Sequence, residues 1–316
     1  MIRCLNPPNY VNTYIIKMGG TVMESIWCKT ANLPDRKKLD KNLHVQNAVI
    51  GAGMAGILTA YMLKKKGKHV IVIEADHVAD GQTKNTTAKI TSQHDLIYHE
   101  LIKKAGIKRA EGYAKANEAA ISEYEKIVGK ESIPCHFEKL PSYIYTTEEA
   151  GKEKLLKEAE AAKSLGIEAY FVDGNEINEL PFHAVGAVCF ENQAQFHPLE
   201  FLKSISRDIE IYENTRVLSV HGHVITTDNG VVTAENIIFA THYPFSNVPG
   251  FYFIRQHQER SYVMALEGDE VPDKMSGMYY GIDKGGLSFR CEEGRLLFGG
   301  GAHRTGKRDK NCDYEG

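Results

Sequence analysis

Residues 48–56 read Ala48-Val-Ile-Gly-Ala-Gly-Met-Ala-Gly56, a short apolar run that breaks into G-x-G-x-x-G. Each glycine answers a separate steric need of a dinucleotide fold. Gly51 permits a tight strand-to-helix turn, Gly53 lets the backbone approach a pyrophosphate, and Gly56 lets the helix pack closely on the strand. The N-terminus of that helix then presents free N–H groups to phosphate. Glycine-rich turns recur by chance, so the flanking residues decide. Residues 45–50 read as a buried parallel strand. Residues 54–66 carry Ile57, Leu58, Tyr61, Met62 and Leu63 at helical spacing and stop at Gly67. The run His69-Val-Ile-Val-Ile-Glu74 supplies a second strand with an acid at its end. A carboxylate there accepts ribose hydroxyls and repels the 2′-phosphate of NADP, so the pattern suits FAD or NAD.

The remaining composition narrows the classes. The 316 residues suffice for two domains, or for one large α/β domain with an inserted layer. Hydrophobic residues at 42%, charged residues at 25% and a formal net charge of −3 describe an ordinary globular protein with no electrostatic case for nucleic acid. Lysine clusters at 64–68 and 152–157 fall on expected helices and read as solvated faces. The six cysteines (Cys4, Cys28, Cys135, Cys189, Cys291, Cys312) lie far apart, with no C-x-x-C and no Cys/His ligand spacing. They read as free thiols in a reducing compartment, and no metal site is expected. Nothing approaches the roughly 18 consecutive apolar residues of a membrane span, and no signal-peptide core is present, so a cytoplasmic protein is expected. Residues 1–22, with Pro7, Pro8, Gly19 and Gly20, show no periodic element; they are expected to be a disordered extension, with Met23 a candidate start.

After Glu74 comes a polar, hydroxyl-rich stretch through His94 that is too long for a plain connection, and a role in lining the cofactor is expected for it. Helical patterning follows over 95–105 and 108–128, then a strand pair or bent strand over 135–146 with Tyr143 and Tyr145 on one face. A helix over 149–165 is expected to turn Leu155, Leu156 and Leu165 inward and its lysines and glutamates outward. Strands are expected at 169–172 and 184–190, and a helix at 199–206. Short strands then follow at 210–212, 216–220, 223–227, 231–233 and 236–240, with a hairpin turn at Asp228-Asn-Gly230. Four more are expected at 259–266, 276–282, 287–291 and 295–298.

In this order of elements the chain resembles the FAD-dependent oxidoreductases typified by glycine and D-amino acid oxidases. The stretches Asn85-Thr-Thr-Ala-Lys-Ile-Thr-Ser-Gln-His94 and Asn192-Gln-Ala-Gln-Phe-His-Pro198 resemble the bacterial subgroup in which this oxidoreductase precedes a Rieske iron–sulfur domain. The resemblance covers about residues 23–310 and implies a Rossmann-like α/β FAD-binding domain interleaved with an α+β substrate domain on a mostly antiparallel sheet. The FAD-binding domain would comprise 23–110 and 192–248, and the substrate domain 111–191 and 249–316. The resemblance implies that Gly51, Gly53 and Gly56 meet the FAD pyrophosphate and Glu74 the adenosine ribose. It places Thr83, Thr86, Thr87 and Ala88 along the pyrophosphate and flavin, and the Val217 backbone at adenine. Ala240-Thr241-His242 resembles the family's Ala-Thr-Gly turn, with His242 in place of the glycine. The family's last cofactor-binding segment is expected after Gly299-Gly-Gly-Ala-His303, and the Rieske Cys-x-His and Cys-x-x-His ligands are absent, so a truncated chain is expected.

The resemblance also implies oxidation of a C–N bond in an amine or amino acid, with electrons passed to an iron–sulfur partner. An arginine commonly holds the substrate carboxylate in such enzymes, because a planar guanidinium pairs it bidentately. Arg290 is the candidate, against the alternative of a surface arginine paired with Glu292 or Glu293. His303 and His94 are candidates for flavin or substrate contact, or else hydrogen-bonded structural residues. Tyr143, Tyr145, Tyr262, Tyr279 and Tyr280 read as sheet-face residues, one of them lining a pocket. A non-catalytic remnant or partner-binding protein and an NAD-dependent dehydrogenase are the other readings, and the threonine-rich stretch favours FAD over NAD.

Overall fold

The computed structural model describes residues 24–246, 250–251, 254, 256, 258–283 and 286–304; the expected extension over 1–22 lies outside them. The first part of the chain forms α1 (Ile26–Thr30), β1 (Leu43–Ile50), α2 (Met54–Lys65), β2 (Val70–Ile73), β3 (Lys89–Ile90), α3 (Tyr98–Ala105) and α4 (Ile107–Glu131). Then come β4 (Glu138–Thr146), α5 (Glu149–Ser164), β5 (Ala169–Asp173), β6 (Gly186–Gln195) and α6 (Pro198–Ile205). The remaining strands are β7 (Glu210–Tyr212), β8 (Val217–His221), β9 (Val224–Thr227), β10 (Val231–Phe239), β11 (Glu259–Leu266), β12 (Met278–Gly281), β13 (Ser288–Glu292) and β14 (Arg295–Arg304).

One sheet has the order β7-β2-β1-β10-β9-β8. Its first four strands are parallel, and β10, β9 and β8 form an antiparallel meander. Apolar residues run without alternation through the end of β1 (Ala48, Val49 and Ile50) and all of β2 because both faces are covered there. Val49, Val70 and Val72 face a core shared with Trp27, Ile57 and Phe201, while Ala48, Ile50, Ile71 and Ile73 pack with Leu39, Tyr212 and Ile225. Each of the valine and isoleucine side chains contributes about 1.5–3 kcal/mol by leaving water.

The second sheet runs β11-β14-β13-β12-β4-β6-β3, with β5 also on β6. It is antiparallel except where β12 meets β4. The fold is therefore α/β, a Rossmann-like sheet beside a mostly antiparallel one. The division at 110/111 falls inside α4, and that at 191/192 falls inside β6. The expected division at 248/249 lies outside the described residues.

Several local expectations change on packing. Residues 135–146 contribute one strand with a register shift between Leu140 and Ser142, the bent-strand alternative. Residues 231–239 are a single strand, which β1 pairs from Val232 to Phe239. In α5, Leu155 and Leu165 are buried, but Leu156 is 41% exposed. The inward place goes to Glu158, which is 0% exposed. Its carboxylate accepts from the N–H groups of Ile97 (2.8 Å), Tyr98 (2.7 Å) and His99 (2.9 Å), the donors at the start of α3. The N-cap residue Ile97 supplies no side-chain cap, so a carboxylate from another helix does so. Burial raises the Glu158 carboxyl above the ordinary glutamate range. No helix among the described residues is long and apolar enough to cross a membrane.

Glu158→Ala would leave three buried donors without an acceptor and is expected to destabilise the chain by about 3 kcal/mol. Urea denaturation followed by circular dichroism checks this, and a change below about 1 kcal/mol would contradict the assigned cap.

Candidate functional site

The carboxyl ends of β1, β2 and β10 converge on the glycine loop. Gly51 N–H donates to Ile73 O (2.8 Å), and Ala240 N–H donates to Ile50 O (2.8 Å). Gly51 has φ +105, and a Cβ placed on it would stand 2.5 Å from Ala240 O. A Cβ on Gly56 would stand 1.9 Å from Gly51 O. Both positions are closed by backbone and exclude any side chain. Gly53 differs, since only Thr83 Oγ1, at 3.4 Å, comes near a Cβ there. As N-cap of α2 it offers no side-chain cap to the helix N-terminus. The three glycines thus divide into two that let backbones touch and one, at a helix N-terminus, where a Cβ would meet only a side-chain hydroxyl among the described residues.

Glu74 sits beside this loop. Its Oε2 accepts from Ala52 N–H (2.6 Å) and its Oε1 from Asp76 N–H (3.0 Å). Thr215 N–H donates to Glu74 O (2.9 Å), which brings the Val217 segment at the start of β8 to the same corner. Val217 is half-buried and pairs with Thr227. Thr241 has its Cα 3.4 Å from the position of a Gly51 Cβ, and its hydroxyl donates to Tyr243 O (3.1 Å). His242 adopts φ +60, so the left-handed turn forms with histidine where glycine is usual.

The threonine-rich stretch closes the other side. Thr83 Oγ1 accepts from Met54 N–H (3.1 Å), the first residue of α2. The carbonyls that follow turn inward. Ser25 Oγ reaches Lys84 O (2.5 Å), and Trp27 Nε1 reaches Thr86 O (2.8 Å). Arg290 Nη1 donates to Thr87 O (3.0 Å) and Ala88 O (2.7 Å). Thr86 Oγ1 accepts from Ala88 N–H (3.0 Å), and Ala88 itself holds φ +54. A non-glycine residue in that region costs of order 1 kcal/mol and persists only where neighbours enforce it.

Arg290 is not placed as a substrate clamp, nor does it lie on the surface. It is 0% exposed, both terminal nitrogens serve protein acceptors, Nη2 pairs with Glu292, and its Cζ lies 5.5 Å from the Trp27 ring centroid. Burial lowers its pKa to about 10, which keeps it charged at neutral pH. His303 lies half-exposed on β14, stacked on Tyr262, with Nδ1 3.0 Å from Gly301 O. His94 lies away from that strand, 3.3 Å from Asn117 Oδ1. Among the tyrosines, Tyr143 stacks on Tyr279 at 4.9 Å, and Tyr145 is buried.

Sequence reading passed over three residues. Trp27 is the chain's single tryptophan and is 2% exposed. Lys89 Nζ donates to Tyr279 O (2.8 Å) and Ser288 Oγ (2.7 Å), and burial together with the Arg290 charge pushes it down to about 7. Glu213 is 2% exposed and accepts from Arg36 N–H (3.1 Å), Val78 N–H (2.8 Å) and His77 Nδ1 (2.9 Å). Asp35, His77 and Glu213 are close enough to hold a cation, but these donors already occupy Glu213. The one available signal was the solitary Trp27 sixteen residues before β1. The other two show only when distant segments meet.

A Rossmann-like sheet with this glycine loop, an acid ending β2 and a second antiparallel sheet defines a dinucleotide-binding oxidoreductase architecture. The family model described as FAD dependent oxidoreductase (DAO) matches residues 47–315, and the chain belongs to that family. Among curated proteins it is 36% identical over 298 residues to YhfW of Bacillus subtilis, which bears the name of a Rieske 2Fe-2S iron-sulfur protein; the match covers 90% of this chain and 57% of YhfW. It is 24% identical over 213 residues to OrdL of Haemophilus influenzae, named as an oxidoreductase, covering 63% of this chain and 49% of OrdL. The chain spans about half the length of these curated relatives. Glycine oxidase from Bacillus cereus shares the fold with TM-score 0.62 at 19% identity, covering 82% of this chain and 71% of that one. L-proline dehydrogenase from P. horikoshii does so with TM-score 0.64 at 16% identity, covering 85% and 72%.

His197 opens α6, with Nδ1 accepting from Glu200 N–H (3.2 Å) and Nε2 2.8 Å from Thr30 Oγ1. Burial lowers its pKa from 6.5 to about 4. The unfolded chain then binds the proton more readily, so this group's contribution is present above pH 6.5 and is lost as pH falls toward 4. The loss is of order 3 kcal/mol. Thermal unfolding of wild type and His197→Asn at pH 7 and pH 4.5 should show a stability difference that shrinks at the lower pH. A difference independent of pH would contradict the buried neutral imidazole.

Proposed function

We propose that this chain binds FAD on the face formed by the glycine loop, the threonine stretch and the Ala240–His242 turn, as part of an enzyme that oxidises a C–N bond of an amine or amino acid. The carrying observation is the steric division of the glycines. Gly51 and Gly56 are sealed by backbone, and Gly53 alone has room for a side chain, at a helix N-terminus whose first N–H is held by Thr83 Oγ1 of the threonine stretch. That arrangement suits a pyrophosphate.

In this reading Gly51, Gly53 and Gly56 hold the pyrophosphate and Glu74 takes the adenosine ribose. Thr83, Thr86, Thr87 and Ala88 run along the pyrophosphate and flavin, the Val217 backbone meets adenine, and Thr241 supports the glycine loop from β10. The two discontinuous units retain their assigned roles, cofactor and substrate binding. When bound, FAD supplies the two-electron acceptor for hydride from the carbon bearing nitrogen. The protein's part is to bind, orient and exclude water. Lys89, close to neutral pH in its titration, lies between the threonine stretch and β12–β13 and can hold or release a proton there. His303 on β14 is the second candidate for substrate contact. Arg290 supports the threonine stretch rather than the substrate.

The structural neighbours glycine oxidase and L-proline dehydrogenase support the amino-acid class. The name borne by YhfW supports an iron–sulfur electron acceptor. The extended threonine stretch and the family favour FAD over NAD.

The visible spectrum of the purified chain, with the cofactor released on denaturation identified, tests the reading. A flavin spectrum with near-stoichiometric FAD is expected. A folded, colourless chain that FAD does not reconstitute would refute it and favour the non-catalytic alternative. Gly53→Val has the room to fold but fills the open position, so it is expected to weaken FAD binding at least tenfold, measured by flavin fluorescence titration. Unchanged affinity would displace the pyrophosphate from Gly53.

A further inference from the structure

Trp27 and Arg290 meet at the backbone of the threonine stretch from opposite ends of the chain. Trp27 Nε1 donates to Thr86 O at 2.8 Å, and Arg290 Nη1 donates to Thr87 O and Ala88 O at 3.0 and 2.7 Å. Phe196 N–H adds a longer bond to Ala88 O at 3.4 Å. Three successive carbonyls are thereby drawn to one side.

The two side chains also support each other. The Arg290 guanidinium lies over the indole at 5.5 Å, and the ring meets His197 edge-on at 4.8 Å. Arg290 Nε is buried without a hydrogen-bond acceptor among the described residues, and the guanidinium it belongs to lies over the electron-rich indole face. Glu292 balances the charge from the other side through Nη2. The arrangement holds Ala88 at φ +54, a conformation an alanine does not keep unaided.

We infer that Trp27, seated under Arg290, is a positioning residue for the cofactor: it fixes Thr86–Ala88 with carbonyls inward, leaving the threonine hydroxyls to face the bound FAD. The inference rests on the FAD reading above. A carbonyl turned outward would oppose an anionic or electron-rich cofactor, whereas a hydroxyl donates to it. The tryptophan contributes through one hydrogen bond and one ring face, and these separate experimentally. Trp27→Phe keeps a ring beneath the guanidinium and removes the N–H donor.

Two measurements on the full chain separate this inference from the reading it rests on. Amide hydrogen exchange without cofactor is compared between wild type and Trp27→Phe. Exchange at residues 88–90 is expected to rise about tenfold in the variant while α5 and β2 amides stay unchanged. Unchanged exchange at 88–90, or an equal rise throughout, overturns the positioning role whatever FAD does. FAD titration of the same two proteins is then expected to show at least tenfold weaker binding by the variant. Faster local exchange with unaltered FAD affinity overturns the link to the cofactor. A wild-type chain that binds no FAD overturns the site reading, and the positioning role with it, even where the exchange result is as expected.

Discussion

The close approach of three backbones at Gly51, Gly56 and Ala240 is the constraint on which the rest of the site depends. Two positions there leave no space for even one methyl group, with would-be Cβ contacts of 1.9 and 2.5 Å to carbonyl oxygens. Such contacts let α2 lie directly on β1 and β10 and point its N-terminus at the ends of the parallel strands. A side chain at either position would lift the helix and move the open face at Gly53 with it. Crowding at two glycines and room at the third are therefore one design, in which tight packing fixes where the N-terminus of α2 points.

Around that point, carboxylates and arginine act mainly as organisers of backbone. Glu74 accepts from Ala52 and Asp76, Glu213 from Arg36 and Val78, and Glu158 from three donors at the start of α3. Arg290 performs the complementary task, donating to carbonyls. A buried charge is costly in isolation, but several strong hydrogen bonds offset its desolvation. Each charge ties together segments far apart in sequence, so losing one would loosen a junction rather than a single contact. This explains how long loops at the site hold one conformation with little regular structure of their own.

Much of the first sheet was legible because its signals are local. Apolar runs without alternation, a helix stopped by Gly67 and an acid at the end of β2 each follow from a few neighbouring residues. The meander strands were legible too, although β10 reads as two pieces until β1 pairs it from Val232 to Phe239. Legibility failed where a residue's partner lies far away. Leu156 and Glu158 sit two residues apart on α5, and their exposure is decided by α3, which no helical periodicity reveals. Arg290 reads equally as a clamp or as a surface residue, and it is a buried support because Thr87 and Ala88 fold back over β13.

By itself, then, the sequence determined the strand–glycine-turn–helix unit, the acid that favours FAD or NAD over NADP, and the α/β class, since these depend on steric and hydrophobic patterns within short windows. Only the tertiary structure decided which polar groups face the open side and which are spent inside. Trp27, Lys89 and Arg290 come from three separate stretches, and their roles arise from burial and hydrogen bonds that exist only once both sheets are assembled. The physical reason is range: backbone propensity and glycine sterics act over a few residues, whereas desolvation and charge pairing depend on every segment that folding brings near.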